Sequence, residues 1–535
     1  MIKAVRGTRD LLPPDTALWN FVEQAARDVF RAYNFHEIRT PVFEETQLFA
    51  RSVGEETDIV SKEMFTWVEG RDTTELTLQA EWLEKKAKDD PNIGWLVPAR
   101  LPNLRHLPDL ELRPPSGAST FVAFRRSASL DSVRQLAQYG NGWCGMFDKQ
   151  PILKIVTAVT PSGLVREEAK RSAIEIETID LQDVEPPQSL TLRPENTAGV
   201  VRAYIEHKLW DGGLNKLFYI GPQFRRERPQ KGRYRQFYQI GAEVIGPSSA
   251  GSESPARDAE VIELLAAFLD RIGITGWTLE LNSVGCAQDR PRFNEALRNA
   301  LESVVSKMCA DCQRRADTNP LRVFDCKVPA DQPIIETLPR ISHFLDEGCR
   351  THFEQVKEIL TAVGVPFTIN DRLVRGLDYY TRTAFEFTHG ALGAQNAILG
   401  GGRYDGLSES LGGPPAPGIG FAIGEDRLVM SLNRSAEEVI RKPDVYIAPL
   451  GAGMNSEGAR LARELRRQDV VVELGDENFR LKKSFEAATK AGAKFILIVG
   501  EDEVKAGAFA VKNLTSGEQV SVPRQELAQK IQSGR

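Results

Sequence analysis

The stretch FRRERPQKGRYRQFYQIGAEVIG, residues 224–246, predicts a β-hairpin with a basic loop. Two strand-like arms flank the loop RPQKGR, and successive side chains of a strand point to opposite faces. One face of the second arm therefore carries Phe237, Gln239, Gly241, Glu243 and Ile245. This polar floor, with space above its glycine, suits a small cationic or hydrogen-bonding ligand. A solvent-facing pair of strands held by salt bridges is the alternative interpretation.

The first arm adds a candidate phosphate ligand. Arg225 and Glu227 share a face, and an arginine in that position can clamp a phosphate through two parallel hydrogen bonds. The segment LRPENTAG, residues 192–199, offers Glu195 and Thr197, which share a face if this segment is extended. Their carboxylate and hydroxyl would then complete a cage for an ammonium group.

Two glycine-rich segments follow later in the chain. LGGGRYDGL, residues 399–407, has three consecutive glycines, which permit close approach of the backbone to a ligand. GIGFAIGEDRL, residues 418–428, places small residues before a helix that carries Arg427. Close packing of helix and strand explains the second segment equally well, and its glycine spacing does not fit a dinucleotide-binding fingerprint.

Residues 372–387, RLVRGLDYYTRTAFEF, place several polar side chains in an otherwise apolar, strand-like run. Arg375 and Asp378 lie three residues apart, and Tyr379 and Tyr380 follow directly. Taken alone, this stretch fits either a structural ion pair or a ligand-binding site.

The composition of the 535-residue chain is that of an ordinary globular protein, with 41% hydrophobic and 27% charged residues. The formal net charge of −6 gives no overall basic field for nucleic acid, although local basic strips can still bind RNA. We expect a cytoplasmic protein without a membrane partner, because no run of about 18 apolar residues and no signal-peptide core occur.

Four cysteines leave two interpretations open. Cys309 and Cys312 form a C-x-x-C pair, and Cys326 and Cys349 follow. Four thiolates could hold a structural zinc ion. The last two cysteines are 23 residues apart and form no compact knuckle, so we predict reduced thiols and no metal.

The hydrophobic pattern predicts an α+β protein of several domains. An amphipathic helix over 16–33 precedes a strand interrupted by Pro41, which implies a sheet edge or boundary. Residues 287–365 are mostly helical, and short apolar strands alternate with helices after Lys442. That alternation predicts a small parallel-sheet domain.

Together these motifs resemble the three signature motifs of the class II aminoacyl-tRNA synthetases, and within that class the histidyl-tRNA synthetases. The resemblance rests on the segments LTLRPENTAG (190–199), ERPQKGRYRQF (227–237), LVRGLDYYTRTAFEF (373–387) and GGGRYDGL (400–407), and on RGTRDLLPPD (6–15) and TNPLRVFDCK (318–327). It implies a mixed, mostly antiparallel sheet covered by helices. The domains implied are catalytic core at 1–70, 187–286 and 367–434, an inserted α+β unit at 71–186, a helical insertion at 287–366 and an anticodon-binding α/β domain at 442–535.

The resemblance also implies roles for individual residues. Arg225 and Arg375 are the catalytic residues, and Arg375 bridges the carboxylate of histidine and the α-phosphate of ATP. The residues implied to bind histidine are Glu195, Thr197, Gln239, Glu243, Arg375, Tyr379 and Tyr380. Those implied to bind ATP are Arg225, Glu227, Phe237 and Arg427. The loop residues Gln230, Lys231 and Arg233 would meet the acceptor stem of tRNA.

The implied activity is ligation of L-histidine to tRNA(His), with ATP and Mg²⁺, by a homodimer without zinc. The alternatives from the same fold are a non-catalytic regulatory subunit and a tRNA-sensing module. The segment 71–186 carries no catalytic motif that we recognise. Because relatives join its two ends by a short turn, we expect EMFTW (63–67) and SLTLRP (189–194) to pair as strands.

Overall fold

The computed structural model describes residues 2–54, 57, 59–69, 110–111, 123–124, 188–230, 232–374, 377, 379–390 and 396–534. These residues form two compact units. The first unit contains residues 1–9 and 26–431, and the second contains residues 10–25 and 432–535.

The described strands are β1 (His36–Glu37), β2 (Phe43–Glu45), β3 (Phe65–Glu69), β4 (Leu110–Glu111), β5 (Ala123–Phe124), β6 (Gln188–Leu192), β7 (Asn215–Phe224), β8 (Gln236–Ile245), β9 (Trp277–Ser283), β10 (Thr368–Ile369), β11 (Thr381–His389), β12 (Ala397–Arg403), β13 (Gly418–Gly424), β14 (Val445–Pro449), β15 (Val472–Leu474), β16 (Phe495–Val499), β17 (Ala508–Asn513) and β18 (Gln519–Pro523).

The described α-helices are α1 (Thr16–Ala32), α2 (Thr46–Val53), α3 (Thr197–Glu206), α4 (Pro255–Arg271), α5 (Asp289–Glu302), α6 (Ala310–Thr318), α7 (Gln332–Glu336), α8 (Glu347–Ala362), α9 (Leu407–Ser410), α10 (Glu425–Met430), α11 (Ala436–Val439), α12 (Met454–Arg466), α13 (Leu481–Ala491), α14 (Glu501–Ala506) and α15 (Leu527–Ser533). None in this described part of the chain combines the length and apolar character that a membrane crossing requires.

An eight-stranded sheet organises the first unit. Its strand order is β1-β7-β8-β13-β12-β11-β9-β10. The outermost pairs, β1 with β7 and β9 with β10, are parallel, and the pairs between them are antiparallel. The mixed, mostly antiparallel sheet that the sequence predicts is confirmed.

The strand around Pro41 is split between two sheets. β1 lies at one edge of the eight-stranded sheet, and β2 lies at the edge of a second sheet with the order β2-β6-β3. β3 pairs antiparallel with β6, with Glu69 opposite Gln188. The predicted pairing of 63–67 with 189–194 is therefore confirmed. The domain assignment of 71–186 lies almost wholly outside the described residues.

The sheet of the second unit is only partly parallel. Its order is β15-β14-β16-β17-β18, and β14 is parallel to both β15 and β16. β17 and β18 are antiparallel, which corrects the prediction of a wholly parallel sheet. β17 and β18 are joined directly by a turn at Gly517, whose φ is +79°. Parallel strands would need a longer crossover connection between them, so this short turn makes the pair antiparallel.

A buried ionic group joins the sheet of the first unit to the helices behind it. Arg403 on β12 and Asp258 on α4 are both fully buried and form an ion pair. Arg403 Nη2 also donates a hydrogen bond to the carbonyl oxygen of Ser252 at 2.7 Å. On the other side, His352 Nε2 on α8 lies 2.8 Å from Asp258 Oδ2. Although burial opposes ionisation, Arg403 and His352 hold the pKa of Asp258 below its ordinary value.

We expect Arg403→Met to lower the free energy of unfolding of the first unit by about 3–5 kcal/mol, because it leaves a buried carboxylate without its main partner. Tryptophan fluorescence during denaturation in urea measures this, since six of the seven tryptophans lie within residues 26–431 and only Trp19 belongs to the second unit. Arg271→Met is the matched control. Arg271 is 53% exposed in its pair with Asp28, so its loss should cost less than about 1 kcal/mol. Equal effects of the two substitutions would contradict a structural role for Arg403.

Candidate active site

A cavity of about 400 Å³ opens above the middle of the eight-stranded sheet. Its volume falls within the range of small-molecule sites. The predicted site residues that line it are Glu195, Thr197, Arg225, Glu227, Arg233, Phe237, Gln239, Tyr379, Tyr380 and Arg427. The fold thus brings together residues from distant parts of the chain. Arg375 and Lys231 lie outside the described residues.

Glu195 and Thr197 are placed by the beginning of a helix, not by a strand. The backbone N–H of Thr197 donates to Glu195 Oε2 at 2.7 Å, and that of Ala198 donates to Oε1 at 2.9 Å. The expectation of an extended segment is therefore wrong, because the Glu195 carboxylate satisfies the first N–H groups of α3. Burial raises the pKa of Glu195 in spite of these two hydrogen bonds.

Glu243 lies beneath the cavity and is fully buried. The hydroxyl of Thr197 donates to Glu243 Oε1 at 2.7 Å, and the hydroxyl of Tyr219 lies 3.5 Å from the same oxygen. Thr197 is thus bonded to both glutamates. Burial, with a smaller contribution from the charge of Glu195, raises the pKa of Glu243 to about 8. Two carboxylates this close share the site best when one of them is protonated.

Glycines on the strands beside Glu243 leave room for this group. Gly420 on β13 stands opposite Glu243, and a Cβ on it would collide with the Glu243 carboxylate. Gly241 stands opposite Tyr219 on β7, and a Cβ there would collide with the tyrosine ring. The alternation predicted for the second arm of the hairpin is therefore supported by contacts on its polar face.

Gln239 forms the part of the floor that lines the cavity. It lines the cavity, and its Oε1 has no hydrogen-bond partner among the described residues. In the sheet it lies between Gly221 on β7 and Gly424 on β13. A buried acceptor without a partner costs free energy unless a ligand donates to it. Together with Glu195, this amide suits a ligand with an ammonium group.

Tyr379 and Tyr380 close the site from the segment before β11. Their ring centroids are 4.8 Å apart, and Tyr380 is 8% exposed. Burial raises the pKa of Tyr379 well above its ordinary value, so its hydroxyl stays protonated. The polar run at 372–387 therefore contributes two aromatic walls to the cavity. Arg375 and Asp378 of this run lie outside the described residues.

The arginine predicted to bind phosphate lies directly beside the acidic group. Arg225 Nε donates to the carbonyl oxygen of Pro194, the residue before Glu195, at 3.0 Å. Its guanidinium carbon lies 5.2 Å from the centroid of the Phe237 ring. Glu227 accepts a hydrogen bond from Arg233 at 3.0 Å and lies 3.9 Å from Arg225. The residues predicted for a nucleotide thus form one contiguous group.

Arg427 joins this group from α10. Its Nη1 donates to the carbonyl oxygen of Ala397 at 3.1 Å. Burial, followed by repulsion from Arg233, holds the pKa of Arg427 below its ordinary value, and Arg225 adds to this repulsion. Three guanidinium groups that repel one another in a cleft are well suited to a polyanionic ligand such as a triphosphate.

The basic loop of the hairpin is a tight turn. Gln230 and Arg233 are bridged by backbone hydrogen bonds of 3.1 and 2.9 Å in opposite directions. Gly232, with φ of +74°, completes the turn in a conformation that favours glycine. The Gly232 backbone packs near the side chains of Arg427 and Met430. The loop therefore lies at the rim of the cavity, beside the arginine group.

Comparison with known proteins assigns the chain to one family. A family model described as histidyl-tRNA synthetase matches residues 158–428, and a model described as an anticodon-binding domain matches residues 444–534. The histidine–tRNA ligase of Koribacter versatilis (strain Ellin345) is 57% identical over 99% of this chain and 95% of its own length. The chain belongs to the histidyl-tRNA synthetase family.

Two further similarities agree with this family membership. The histidine–tRNA ligase of Solibacter usitatus (strain Ellin6076) is 47% identical over 99% of both chains. The crystal structure of apo S. aureus histidyl-tRNA synthetase has a TM-score of 0.63 at 30% identity and covers 99% of this chain and all of that one. The predicted class II synthetase fold with a C-terminal anticodon-binding domain is confirmed, and the chain is an aminoacyl-tRNA ligase for histidine.

Some residues that line the cavity were missed by sequence reasoning. Tyr219 lines the cavity beside Glu243. The sequence signal that could have indicated it was Gly241, which stands opposite Tyr219 in the sheet and leaves room for its ring. The glycines at 400–402 have mixed roles. Gly400 lines the cavity as expected, but Gly401 and Gly402 have no space for a side chain because neighbouring strands lie against them.

The raised pKa of Glu243 predicts how the stability of the synthetase depends on pH. Between about pH 4.5 and 8 the unfolded chain ionises this carboxyl and the folded chain keeps its proton. The stabilising contribution of the proton is complete below pH 4.5 and is lost as the pH rises to about 8.

Glu243→Gln should therefore remove a fall in the free energy of unfolding between pH 5 and 8, measured by urea denaturation at several pH values. Glu302→Gln, at an exposed position, is the control and should leave the pH dependence of the wild type unchanged. If Glu243→Gln has the pH profile of the wild type, the carboxyl is ionised in the fold at neutral pH and our assignment of its charge is wrong.

Proposed function

We propose that the cavity binds L-histidine and ATP side by side, forms histidyl-adenylate and pyrophosphate, and transfers histidine to the 3′ end of tRNA(His). One observation carries this proposal. The carboxylate and amide group around Glu195 adjoins the arginine group around Arg225, and the hydrogen bond from Arg225 to Pro194 O links them. An amino acid has an ammonium group for the first, and its activation needs a triphosphate at the second.

Histidine recognition follows from the acidic side of the cavity. The ammonium group would donate to Glu195, Gln239 Oε1 and the Thr197 hydroxyl. A neutral imidazole has one donor and one acceptor nitrogen. Glu243 accepts from the first, and the Tyr380 hydroxyl donates to the second. An amino acid without both nitrogens leaves these buried groups unpaired, and such recognition discriminates by about 10⁴ or more.

Adenylate formation follows from the arginine side. An oxygen of the histidine carboxylate forms a bond to the α-phosphorus of ATP, and the bond from that phosphorus to the bridging oxygen of the β-phosphate breaks. Pyrophosphate leaves with the electron pair. Arg225 holds the α-phosphate, Arg427 holds the γ-phosphate and Phe237 stacks on adenine. Fixed guanidinium groups stabilise the charge on phosphorus without reorganising during the step. Arg375 would bridge carboxylate and α-phosphate.

Magnesium would enter with ATP. Mg²⁺ prefers carboxylate and phosphate oxygens, and the carboxylates of Glu227 and Glu386 both line the cavity near Arg427. We propose these two glutamates as its protein ligands. When bound, the ion neutralises phosphate charge.

The tRNA would be held at two places. Residues 444–534 match an anticodon-binding domain, so we propose that they bind the anticodon. Gln230 and Arg233 belong to a turn at the rim of the cavity, and we propose that they contact the acceptor stem together with Lys231. We further propose a cytoplasmic homodimer with the predicted domain boundaries, including an inserted unit at 71–186 that leaves and rejoins the core between β3 and β6.

The non-catalytic alternatives have less support. A regulatory subunit that senses a small molecule needs no cluster of phosphate-binding arginines, whereas Arg225, Arg233 and Arg427 all line this cavity. A tRNA-sensing module would need neither these arginines nor the buried acceptor of Gln239.

Two substitutions test whether the two sides of the cavity have these separate roles. In histidine-dependent exchange of pyrophosphate into ATP, Gln239→Ala should raise the KM for histidine about 10–100-fold, because it removes a hydrogen bond to a charged group. Phe237→Ala should raise the KM for ATP by about 5–100-fold through lost stacking.

Each variant serves as the control for the other. The KM for ATP in Gln239→Ala and the KM for histidine in Phe237→Ala should each change less than about threefold. Circular dichroism establishes that both variants are folded. If either substitution changes the two KM values equally, the division of the cavity is wrong, and if the wild-type protein catalyses no exchange, the proposed function is wrong.

A further inference from the structure

Three cysteines and an aspartate converge in the helical segment between α5 and α8. One ligand atom from each of Cys309, Cys312, Cys326 and Asp331 lies within 4.8 Å of the others. Cys312, Cys326 and Asp331 are 0%, 5% and 1% exposed, and Cys309 is half-buried. The fourth member is an aspartate, so the grouping of Cys349 with these three cysteines that we considered from the sequence is wrong.

The distances in this cluster fit a tetrahedral metal ion. Cys309 Sγ and Cys326 Sγ are 3.9 Å apart. Two sulfurs bound to one zinc ion at about 2.3 Å in tetrahedral geometry are about 3.8 Å apart. Asp331 Oδ2 lies 3.2 Å from Cys326 Sγ. Three sulfurs and one carboxylate oxygen supply the four ligands of a closed structural site.

The chain delivers these ligands from a helix start and two turns. Cys309 directly precedes α6 and Cys312 lies in its first turn, so the C-x-x-C pair presents both thiols at one helix end. Cys326 follows the 3₁₀-helix Pro320–Asp325, and Asp331 ends the 3₁₀-helix Pro329–Asp331. The four positions span only 23 residues.

Backbone groups support the ligands from outside the cluster. The N–H of Val328 points to Cys326 Sγ at 3.4 Å. The N–H of Cys309 lies 3.2 Å from each oxygen of Asp331. Hydrogen bonds of this kind orient the ligands of metal sites.

A second cluster nearby, which contains Cys286, Asp289, Asp346 and Cys349, has a different explanation. Asp289 accepts hydrogen bonds from the backbone N–H groups of Cys286 at 3.1 Å and Asp346 at 2.8 Å. Asp346 accepts from the N–H of Cys349 at 2.6 Å and caps α8. What separates this cluster from the first is its ligand set, which has only two thiols, and the role of Asp346 as the N-cap of a long helix.

We propose that Cys309, Cys312, Cys326 and Asp331 bind one Zn²⁺ ion. The ion ties the beginning of α6 to the turns that follow it, in a region built from short helices around a small core. All four positions of a tetrahedral ion are filled by protein ligands, so the site is structural. It does not depend on the function proposed for the cavity.

Metal analysis of the full-length protein tests this proposal. Protein purified with a reductant and without chelator should contain one zinc ion per chain, as measured by inductively coupled plasma mass spectrometry. Cys312→Ser and Cys326→Ser should each reduce the zinc content at least tenfold. Cys349→Ser is the matched control, because it removes a buried thiol of the same segment from the other cluster, and it should keep the full zinc content.

Cobalt substitution gives a readout that does not depend on how much zinc survives purification. Protein refilled with Co²⁺ should show thiolate-to-cobalt charge transfer and the visible bands of a tetrahedral site, and Cys326→Ser should lose both. Asp331→Asn, which keeps the shape of the side chain but removes the charge of a ligating carboxylate, should weaken zinc binding while circular dichroism stays unchanged.

Three results would overturn the proposal. The first is wild-type protein that contains no zinc and binds neither Zn²⁺ nor Co²⁺ when they are added under reducing conditions. The second is zinc that is lost from Cys349→Ser but kept in Cys326→Ser. The third is a disulfide between Cys309 and Cys326 in place of the metal in protein purified with a reductant.

Discussion

The Thr197 backbone and hydroxyl hold two buried glutamates next to each other. The groups around them reduce the repulsion between the two carboxylates. The N–H of Thr197 donates to Glu195 and its hydroxyl to Glu243, each at 2.7 Å. Two ionised carboxylates so close together in a low-dielectric site repel each other strongly. The start of α3 offsets the charge of Glu195, and a proton neutralises Glu243. Gly420 gives the deeper carboxylate its space.

The arginine side of the cavity carries charge of the opposite sign to that of the glutamates. Arg225, Arg233 and Arg427 line one cavity, where burial, and then repulsion from Arg233 and Arg225, hold the pKa of Arg427 below its ordinary value. In the function that we propose, an amino acid would bring an ammonium group to the glutamate side and ATP would bring phosphates to the arginine side. The two sides of the cavity would then be complementary to the two substrates of amino acid activation.

Local patterns predicted much of this architecture, and tertiary placement limited the rest. Alternation along 236–245 identified Gln239 and Glu243, because strand geometry fixes which side chains share a face. It could not show that Thr197 begins a helix, since PENT reads equally well as extended chain. The antiparallel strands β17 and β18 were missed, although their alternation of more and less buried positions differs from the almost continuously buried parallel strands β14 and β16. The cysteines were misgrouped because sequence spacing alone does not show that Asp331, and not Cys349, lies beside the other three cysteines.

The most direct test of the account is the rate of pyrophosphate exchange into ATP with each of the twenty amino acids, measured at equal concentration with the wild-type protein. A pocket that pairs both imidazole nitrogens over a buried carboxylate predicts exchange with histidine at about 10⁴ times the rate for any other amino acid. Comparable exchange with glutamine or another amino acid would contradict the account, because the buried acidic group would then not select the imidazole ring.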